Sequence, residues 1–286
     1  MPKVSILMSV YDGVRASQLA EAVDSMLAQS FGDFEFLIMQ DGMVRTDLLE
    51  YLSGLPRRDA RVRLHTNSDR RGLPYSLNRL IEQSSSAYLA RMDADDISSP
   101  TRLERQTAYL DADPVTMILG TFAREVDDAG SVLFRKSMPV DADSIRRFMS
   151  RRDPFIHPTV MFRREFFERC GLYSEDRRHV FLEDTELWKR GLLAGCRSAN
   201  LPEFLFDFRA GAAMYSRRRG LKLALNEVRL RVSYCWQAGL PLYHLPLPLI
   251  VGAIRMSPPV VTRFAYQRLR RGAKPGIELS RGADDK

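Results

Sequence analysis

The sequence predicts an α/β fold in which a mostly parallel sheet is flanked by helices. Short apolar runs alternate with amphipathic helical segments through the first third of the chain, a pattern typical of parallel strands joined by helical crossovers. The strand-like runs cover residues 4–10, 34–40, 62–66 and 87–92, and the helical segments between them cover 16–29, 48–52 and 72–81. Of the 286 residues, 45% are hydrophobic and 28% are charged, as expected of a globular protein with a sizeable core.

The last of these apolar runs stops abruptly at three carboxylates, Asp93, Asp95 and Asp96. Ligands of open α/β sheets bind at the carboxyl ends of strands, and carboxylates placed there are costly to bury without a positive group between them. Mg²⁺ and Mn²⁺ prefer oxygen ligands and bridge carboxylates to substrate phosphates. We therefore predict a metal–phosphate site here. The alternative is a solvated loop or a helix N-cap.

Polar residues also follow the first two strands. Ser9, Tyr11 and Asp12 end the first strand, and Asp41 ends the second. A tyrosine ring can stack on a nucleotide base, which contributes about 1–3 kcal/mol, and a carboxylate can accept the N3–H of uracil. The alternative is turn chemistry, because Asp-Gly is common in tight turns. The sequence has no Gly-x-Gly-x-x-Gly or Gly-Lys-Ser/Thr motif, which argues against a dinucleotide enzyme and a P-loop nucleotidase.

A second acidic stretch stands where another helix is predicted to begin. Glu183 and Asp184 open this helix, where the helix dipole favours an ionised carboxylate that can act as a general base. Trp188, in the next turn, is predicted to face the core or an acceptor sugar. His157 either lines the acceptor site or caps a core turn. The alternative for the acids is an ordinary decorated helix N-terminus.

The C-terminal region is basic. Residues 216–286 contain 14 Lys and Arg and 4 Asp and Glu, which gives this region a net charge of +10. The whole chain has a net charge of +7, so residues 1–215 carry a net charge of −3. Prolines interrupt the apolar stretch 240–261, so we predict no transmembrane span. Basic residues beside apolar ones, around 215–236 and 264–274, favour peripheral contact with an anionic membrane. The alternatives are a solvated tail, or a helical layer that packs on the catalytic domain or on a second subunit.

The three cysteines show no metal-ligand spacing, and the N-terminus shows no signal peptide. We therefore expect reduced thiols and a cytoplasmic location.

Six stretches together carry a resemblance to a known family: 4–12, 30–42, 72–78, 92–96, 157–163 and 183–188. Because these six stretches occur in the same order as in that family, residues 3–210 resemble the family 2 glycosyltransferases, which are inverting nucleotide-sugar enzymes with the Rossmann-like GT-A fold. The resemblance implies a nucleotide-sugar-binding part at 1–124, an acceptor-binding part at 125–215, and a helical C-terminal extension at 216–286.

The resemblance also implies roles at the donor. Ser9, Tyr11 and Asp41 would hold the uracil of a UDP-sugar, or the thymine of a dTDP-sugar. Arg71 belongs to a loop that approaches the donor, and Asp93 would contact its ribose or sugar.

Further roles concern the reaction itself. Asp95, with Asp96 as a second ligand, would coordinate Mg²⁺ or Mn²⁺ on the diphosphate. Asp184, with Glu183 beside it, would deprotonate the acceptor hydroxyl for a single inverting displacement, and Arg209 would assist the leaving group.

Two departures from the family pattern matter. Gln40 replaces the first of two adjacent acids that the family commonly has, and the Gln-x-x-Arg-Trp motif of processive members is absent. The absence of the processive motif favours transfer of a single sugar. We expect the acceptor to be a glycan or a lipid-linked glycan in surface polysaccharide assembly, at the inner face of the cell membrane. We also expect that the enzyme can form a homo-oligomer and that it does not bind nucleic acid. The alternatives are an inactive binding module and a sugar-phosphate nucleotidyltransferase.

Overall fold

In a computed structural model, which describes residues 1–209 and 220–256, the strands form one mixed sheet. The strands in chain order are β1 Val4–Val10, β2 Phe34–Asp41, β3 Val62–Asn67, β4 Tyr88–Met92, β5 Ile97–Ser98, β6 Thr116–Val126, β7 Val132–Lys136, β8 Met161–Arg163 and β9 Arg197–Arg209. The helices are α1 Ala16–Leu27, α2 Thr46–Arg58, α3 Leu73–Gln83, α4 Arg102–Ala112, α5 Ala142–Phe148, α6 Glu165–Cys170, α7 Glu183–Leu193, α8 Leu221–Gln237 and α9 Pro246–Met256. Short 3₁₀ helices lie at His157–Thr159, Arg177–His179 and Leu242–His244.

The sheet runs in the order β3-β2-β1-β4-β8-β6-β9-β5, with β7 paired to β6. The first four strands are parallel, which confirms the predicted α/β crossovers. The antiparallel strand β8 lies between β4 and β6, and β9 runs parallel to β6. Because parallel strands end at the same edge, the loops after β1, β2 and β4 lie side by side.

Two apolar layers cover the sheet. Alternate residues of β1 point to opposite faces, so Ile6 and Met8 pack with α1, α2 and α4, while Leu7 packs with α3, α6, α7 and α8. Burial on both faces explains why β1, β2 and β4 read as continuous apolar runs rather than as alternating ones.

Two predicted features of the second half differ from the structure in extent. The boundary predicted at residue 124 lies inside β6, and the sheet continues across it. The basic helix predicted at 215–236 corresponds to α8, which begins at Leu221. The basic segment 264–274 and the arginines at 217–219 lie outside the described residues. Among the described helices, none has the length and apolar character to cross a membrane.

Candidate functional site

The predicted carboxylate cluster occupies the loop between β4 and β5. Asp93 Oδ1 accepts a hydrogen bond from Arg91 Nη2 at 2.5 Å. Arg91 lies on β4 and is buried, so its guanidinium places a positive charge directly behind the cluster. This ion pair orients the Asp93 side chain, which suits it for contact with a donor.

Asp96 points inward and connects two distant strands. Its side chain is 1% exposed, and Oδ1 accepts the backbone N–H of Arg209, at the end of β9, over 2.9 Å. Oδ2 is buried and has no hydrogen-bond partner within the described residues. Burial, with the charges of Asp93 and Asp95, raises the pKa of Asp96 well above its ordinary range. Asp96 therefore holds the end of β9 in place. Its side chain is more buried than the prediction of a metal ligand at the donor site implied.

Asp95 is the exposed carboxylate of the cluster. Desolvation by surrounding protein atoms, followed by the charge of Asp93, raises the pKa of Asp95 to about 6. Arg209 Nη1 donates to the backbone carbonyl of Asp95 at 2.8 Å, and its other terminal nitrogen contacts Glu21. The side chain of Arg209 therefore holds the loop in place, in addition to any role at a leaving group.

The cluster fits a cation that shares its ligands with a phosphate. Among the described residues, no group of three His, Cys, Asp or Glu side chains converges as a closed metal cage. Mg²⁺ is commonly held by one or two carboxylates together with substrate phosphates and water, so a cage is not required. The exposed carboxylate of Asp95 and the Asp96 Oδ2 atom, which has no hydrogen-bond partner in the described residues, are oxygen ligands of the kind that Mg²⁺ and Mn²⁺ take.

Asp41, predicted to read the base, is closely bound to its own loop. It is 3% exposed, and Oδ1 accepts from Asn67 Nδ2 at 3.0 Å and from the Arg71 amide at 2.8 Å. Oδ2 accepts from the Gly72 amide at 2.8 Å. Gly72 has a φ of 90°, which favours glycine. Asp41 therefore fixes the entrance to α3, and base recognition by Asp41 stays a prediction.

Gln40 has a structural partner of its own. Its side chain is buried, and Nε2 donates to the Gly42 carbonyl at 3.0 Å. A carboxylate at this position cannot donate that hydrogen bond. The departure from the family pattern therefore stabilises the turn after β2.

The loop after β1 brings Tyr11 to the surface of the predicted base site. The Arg70 guanidinium lies 4.7 Å from the centroid of the Tyr11 ring. A Cβ at Gly13 would lie 2.3 Å from the same ring, so the ring packs closely over this glycine and would have to shift for a larger residue. Arg45 holds the loop, because its amide donates to Asp12 Oδ1 at 2.8 Å and its Nη1 to the Asp12 carbonyl at 2.7 Å. Ser9 is half-buried at the end of β1.

The predicted base lies at the start of α7 and is connected to α8. Asp184 Oδ1 accepts the Thr185 amide at 2.7 Å, and Thr185 Oγ1 donates to Asp153 Oδ1 at 2.8 Å. Arg231, which is buried on α8, donates to the same Asp153 oxygen at 3.0 Å and to Glu227 Oε1 at 2.9 Å. This chain of polar contacts holds the first turn of α7 in place.

Tyr173 connects the two acidic regions. Its hydroxyl lies 2.8 Å from His157 Nε2. Burial raises the pKa of Tyr173, and the charges of Asp184, Glu183 and Asp93 raise it further. Charges from both acidic regions therefore act on one buried hydroxyl, and the charge of Arg91 opposes them.

Trp188 was predicted to face the core or an acceptor sugar, and the structure places it in the core. Trp188 is 0% exposed, and its ring centroid lies 4.9 Å from that of Phe155 and 5.7 Å from that of Phe162. It faces the core because the inner side of α7 packs against the sheet. His157 is half-buried and begins a 3₁₀ helix, as expected of a residue in a core turn.

Sequence reasoning missed Arg91, Tyr173 and the contact between Asp153 and Arg231. A signal was present only for Arg91, since a charged residue inside a buried apolar run needs a nearby partner.

Comparison with known proteins matches residues 5–171 to the family model described as glycosyl transferase family 2. The chain belongs to glycosyltransferase family 2. This transferase is 31% identical over 279 residues to the amylovoran biosynthesis glycosyltransferase AmsE of Erwinia amylovora, covering 94% of the chain and 99% of the relative. It is also 28% identical to the UDP-Gal:alpha-D-GlcNAc-diphosphoundecaprenol beta-1,3-galactosyltransferase of Escherichia coli, covering 82% of the chain and 83% of the relative.

Solved structures confirm the GT-A fold of the transferase. S. aureus TarS in complex with UDP superposes with a TM-score of 0.65 at 17% identity, covering 97% of this chain and 76% of that one. The mannosyltransferase PcManGT from Pyrobaculum calidifontis, in complex with GDP-Man and Mn²⁺, superposes with a TM-score of 0.61 at 15% identity, covering 96% and 81%.

Proposed function

We propose that this transferase moves one sugar, with inversion, from a UDP-sugar to a glycan or lipid-linked acceptor in surface polysaccharide assembly. The observation that carries the proposal is the carboxylate cluster at the carboxyl end of β4, where the buried Arg91 pairs with Asp93 and the Asp95 side chain stays exposed. A single displacement at an anomeric carbon needs a bound donor and a general base, the roles proposed for this cluster and for Asp184.

In the proposed reaction, Asp184 removes the proton from the acceptor hydroxyl as that oxygen attacks the anomeric carbon. The bond from the anomeric carbon to the diphosphate oxygen breaks, and its electron pair leaves with the nucleoside diphosphate. One displacement inverts the anomeric configuration. Asp95 would hold Mg²⁺ or Mn²⁺ against the diphosphate, where the ion supplies charge neutralisation for the leaving group.

The relatives support the acceptor class. The name of the E. coli relative specifies a diphosphoundecaprenol-linked acceptor, and AmsE is named for the biosynthesis of a polysaccharide. The basic C-terminal region fits an enzyme that works on a lipid-linked glycan at the inner face of the cell membrane. The absence of the processive motif supports addition of a single sugar.

Calorimetric titration with UDP, with and without Mn²⁺, tests the proposal, with dTDP and GDP as competing donor nucleotides. We expect UDP to bind in the presence of Mn²⁺ and to bind much more weakly without it. Preference for dTDP or GDP would correct the donor class. Absence of binding by all three nucleotides would contradict a transferase role and favour an inactive binding module.

A further inference from the structure

A cavity of about 490 Å³ separates the end of α5 from the start of α9. It lies away from the carboxylate cluster, and the proposed reaction does not use it. Its wall combines cationic, aromatic and aliphatic side chains, chiefly Arg147, Phe148, Arg151, Tyr243, His244 and Leu247. Such a wall suits a ligand that is anionic at one end and apolar at the other.

His244 presents an unsatisfied nitrogen at this cavity. The residue is 8% exposed, and its Nδ1 lies 3.0 Å from Ser150 Oγ. Ser150 donates its own proton to the Arg147 carbonyl at 2.8 Å, so the imidazole donates from Nδ1. Nε2 is buried and has no hydrogen-bond partner in the described part of the chain. In that tautomer Nε2 is an acceptor, so a donor group of a ligand can satisfy it, while Arg147 and Arg151 at the same cavity offer donors to a phosphate.

The rim of the cavity is strongly basic. Arg146, Arg147, Arg151 and Arg152 are exposed at the end of α5, and none of them forms an ion pair within residues 1–209 and 220–256. The Arg151 guanidinium lies 4.8 Å from the centroid of the Phe148 ring, which holds it beside the cavity. Arg146 donates to the Ala238 carbonyl, whereas Arg147 and Arg151 line the cavity itself, where their guanidinium groups attract phosphate groups.

The surface next to this rim is apolar. Leu242 and Tyr243 are 74% and 71% exposed, and Leu249 and Ile250 are 58% and 54% exposed. The residues exposed on α9 recur at helical spacing and so form one face: Pro246, Leu249, Ile250 and Ala253. The opposite face packs closely on α8, because a Cβ at Gly252 would lie 2.5 Å from Val228 Cγ2.

We propose that this surface docks on an anionic lipid bilayer. The α5–α9 face, which we define as Arg147, Arg151, Tyr243, His244 and the exposed side of α9, holds a lipid headgroup phosphate in the cavity. The apolar side of α9 then enters the acyl region of the leaflet. Basic residues beside an exposed apolar helix face are the combination that binds anionic leaflets, whereas a protein partner does not require the phosphate site.

This orientation has a consequence that rests on the proposed function. Arg151 is two residues from Asp153, which accepts a hydrogen bond from Thr185 beside the predicted base Asp184. Docking of the α5–α9 face therefore places the acceptor side of the enzyme next to the membrane that carries a lipid-linked glycan.

Flotation of the full-length chain with phosphatidylcholine vesicles, with and without phosphatidylglycerol, tests the docking. We expect binding only to the anionic vesicles, and a loss of about tenfold or more for Arg147→Gln/Arg151→Gln and for Leu249→Ser/Ile250→Ser. The matched control is Arg57→Gln/Arg135→Gln, which removes two exposed charges that form no ion pair among the described residues, and we expect it to leave binding unchanged. The changed side chains are all exposed, and circular dichroism checks that each variant folds.

His244 provides a finer test. In His244→Asn the amide lies where Nδ1 contacts Ser150, and no atom replaces Nε2. In His244→Gln the longer side chain places its amide near the position of Nε2. We therefore expect His244→Asn to weaken vesicle binding more than His244→Gln does. Undiminished binding of Arg147→Gln/Arg151→Gln would assign the contact to the chain beyond residue 256 and overturn the proposal. The proposal would also be overturned if inorganic phosphate raised the melting temperature of the protein as much as anionic vesicles do. A dimer in solution that Leu249→Ser/Ile250→Ser disrupts would overturn it as well. Vesicle binding needs no donor, so failure here leaves the transferase proposal standing.

Discussion

The backbone amide of Arg209 donates a hydrogen bond to Asp96 Oδ1 over 2.9 Å, although 113 residues separate the two in the chain. The end of β9 is thereby fixed to the loop that carries Asp93 and Asp95. Asp96 thus serves the structure of the site, while Asp95 faces solvent. Substitutions at these two neighbouring carboxylates should have different consequences.

Asp95→Asn should abolish Mn²⁺-dependent UDP binding and leave the fold intact, because the side chain is exposed and its charge is what a cation requires. Calorimetry measures the loss, and circular dichroism measures the fold. Asp33→Asn is the matched control, since this exposed acid lies just before β2, at the opposite edge of the sheet. Retained turnover of Asp95→Asn with Mn²⁺ would refute the metal role.

The raised pKa of Asp95, about 6 against an ordinary 3.8, predicts a pH effect on stability. Between about pH 4 and pH 6 the folded state binds more protons than the unfolded state, so this carboxyl lowers the free energy of unfolding as pH rises. Asp95→Asn removes that contribution. The melting temperature of the variant relative to wild type should therefore increase from about pH 4 to pH 7. A difference that stays constant with pH would contradict the shifted pKa.

Asp184→Asn should keep UDP affinity and lose transfer by about 10²–10⁴-fold, the usual contribution of a general base. Single-turnover assays with a UDP-sugar separate the two effects. Glu183→Gln is the control beside it, and we expect it to retain more activity because the polar contacts through Thr185 and Asp153 lead to Asp184. Unchanged transfer by Asp184→Asn would remove it as the base.

Arg231→Met should lower the free energy of unfolding by about 3–5 kcal/mol, because it leaves Glu227 and Asp153 without their buried cation. Adding Glu227→Met should restore part of the loss, since it removes the fully buried anion, while Asp153 keeps the hydrogen bond from Thr185. Urea denaturation gives both values. If the single and double variants unfold at the same midpoint, the ion pair does not stabilise α8 as described.

Gln40→Asp restores the acid that the family commonly has, and we expect it to be harmful here. The new carboxylate loses the hydrogen bond to the Gly42 carbonyl and lies buried beside Asp41, which costs about 1–3 kcal/mol. UDP affinity should not improve. Tighter UDP binding by the variant would mean that Gln40 marks a weakened donor site.

The first half of the fold was predictable because its signals are local. β1, β2 and β4 are apolar runs closed by turn residues, and their parallel arrangement follows from the helices between them. The carboxylates of the candidate site were predictable for the same reason, since they stand directly at strand ends.

The partners of those carboxylates were not predictable from local patterns. Nothing near Asp153 in the sequence indicates Arg231, 78 residues away, and nothing near Asp96 indicates Arg209. The sequence left the core and an acceptor sugar as alternatives for Trp188, because helical periodicity identifies a face of α7 but not whether that face meets a sheet or a ligand.

The interleaved strand order limits how this enzyme can be recombined with its relatives. β8 lies between β4 and β6, and the small strand β5 from the donor loop pairs at the far edge with β9. A crossover placed at residue 124 would cut β6 and separate strands that share hydrogen bonds. Chimeras that exchange only the loops after β1 and β2 keep every ladder of the sheet, whereas exchange of the loop after β4 would also replace β5 and its pairing with β9.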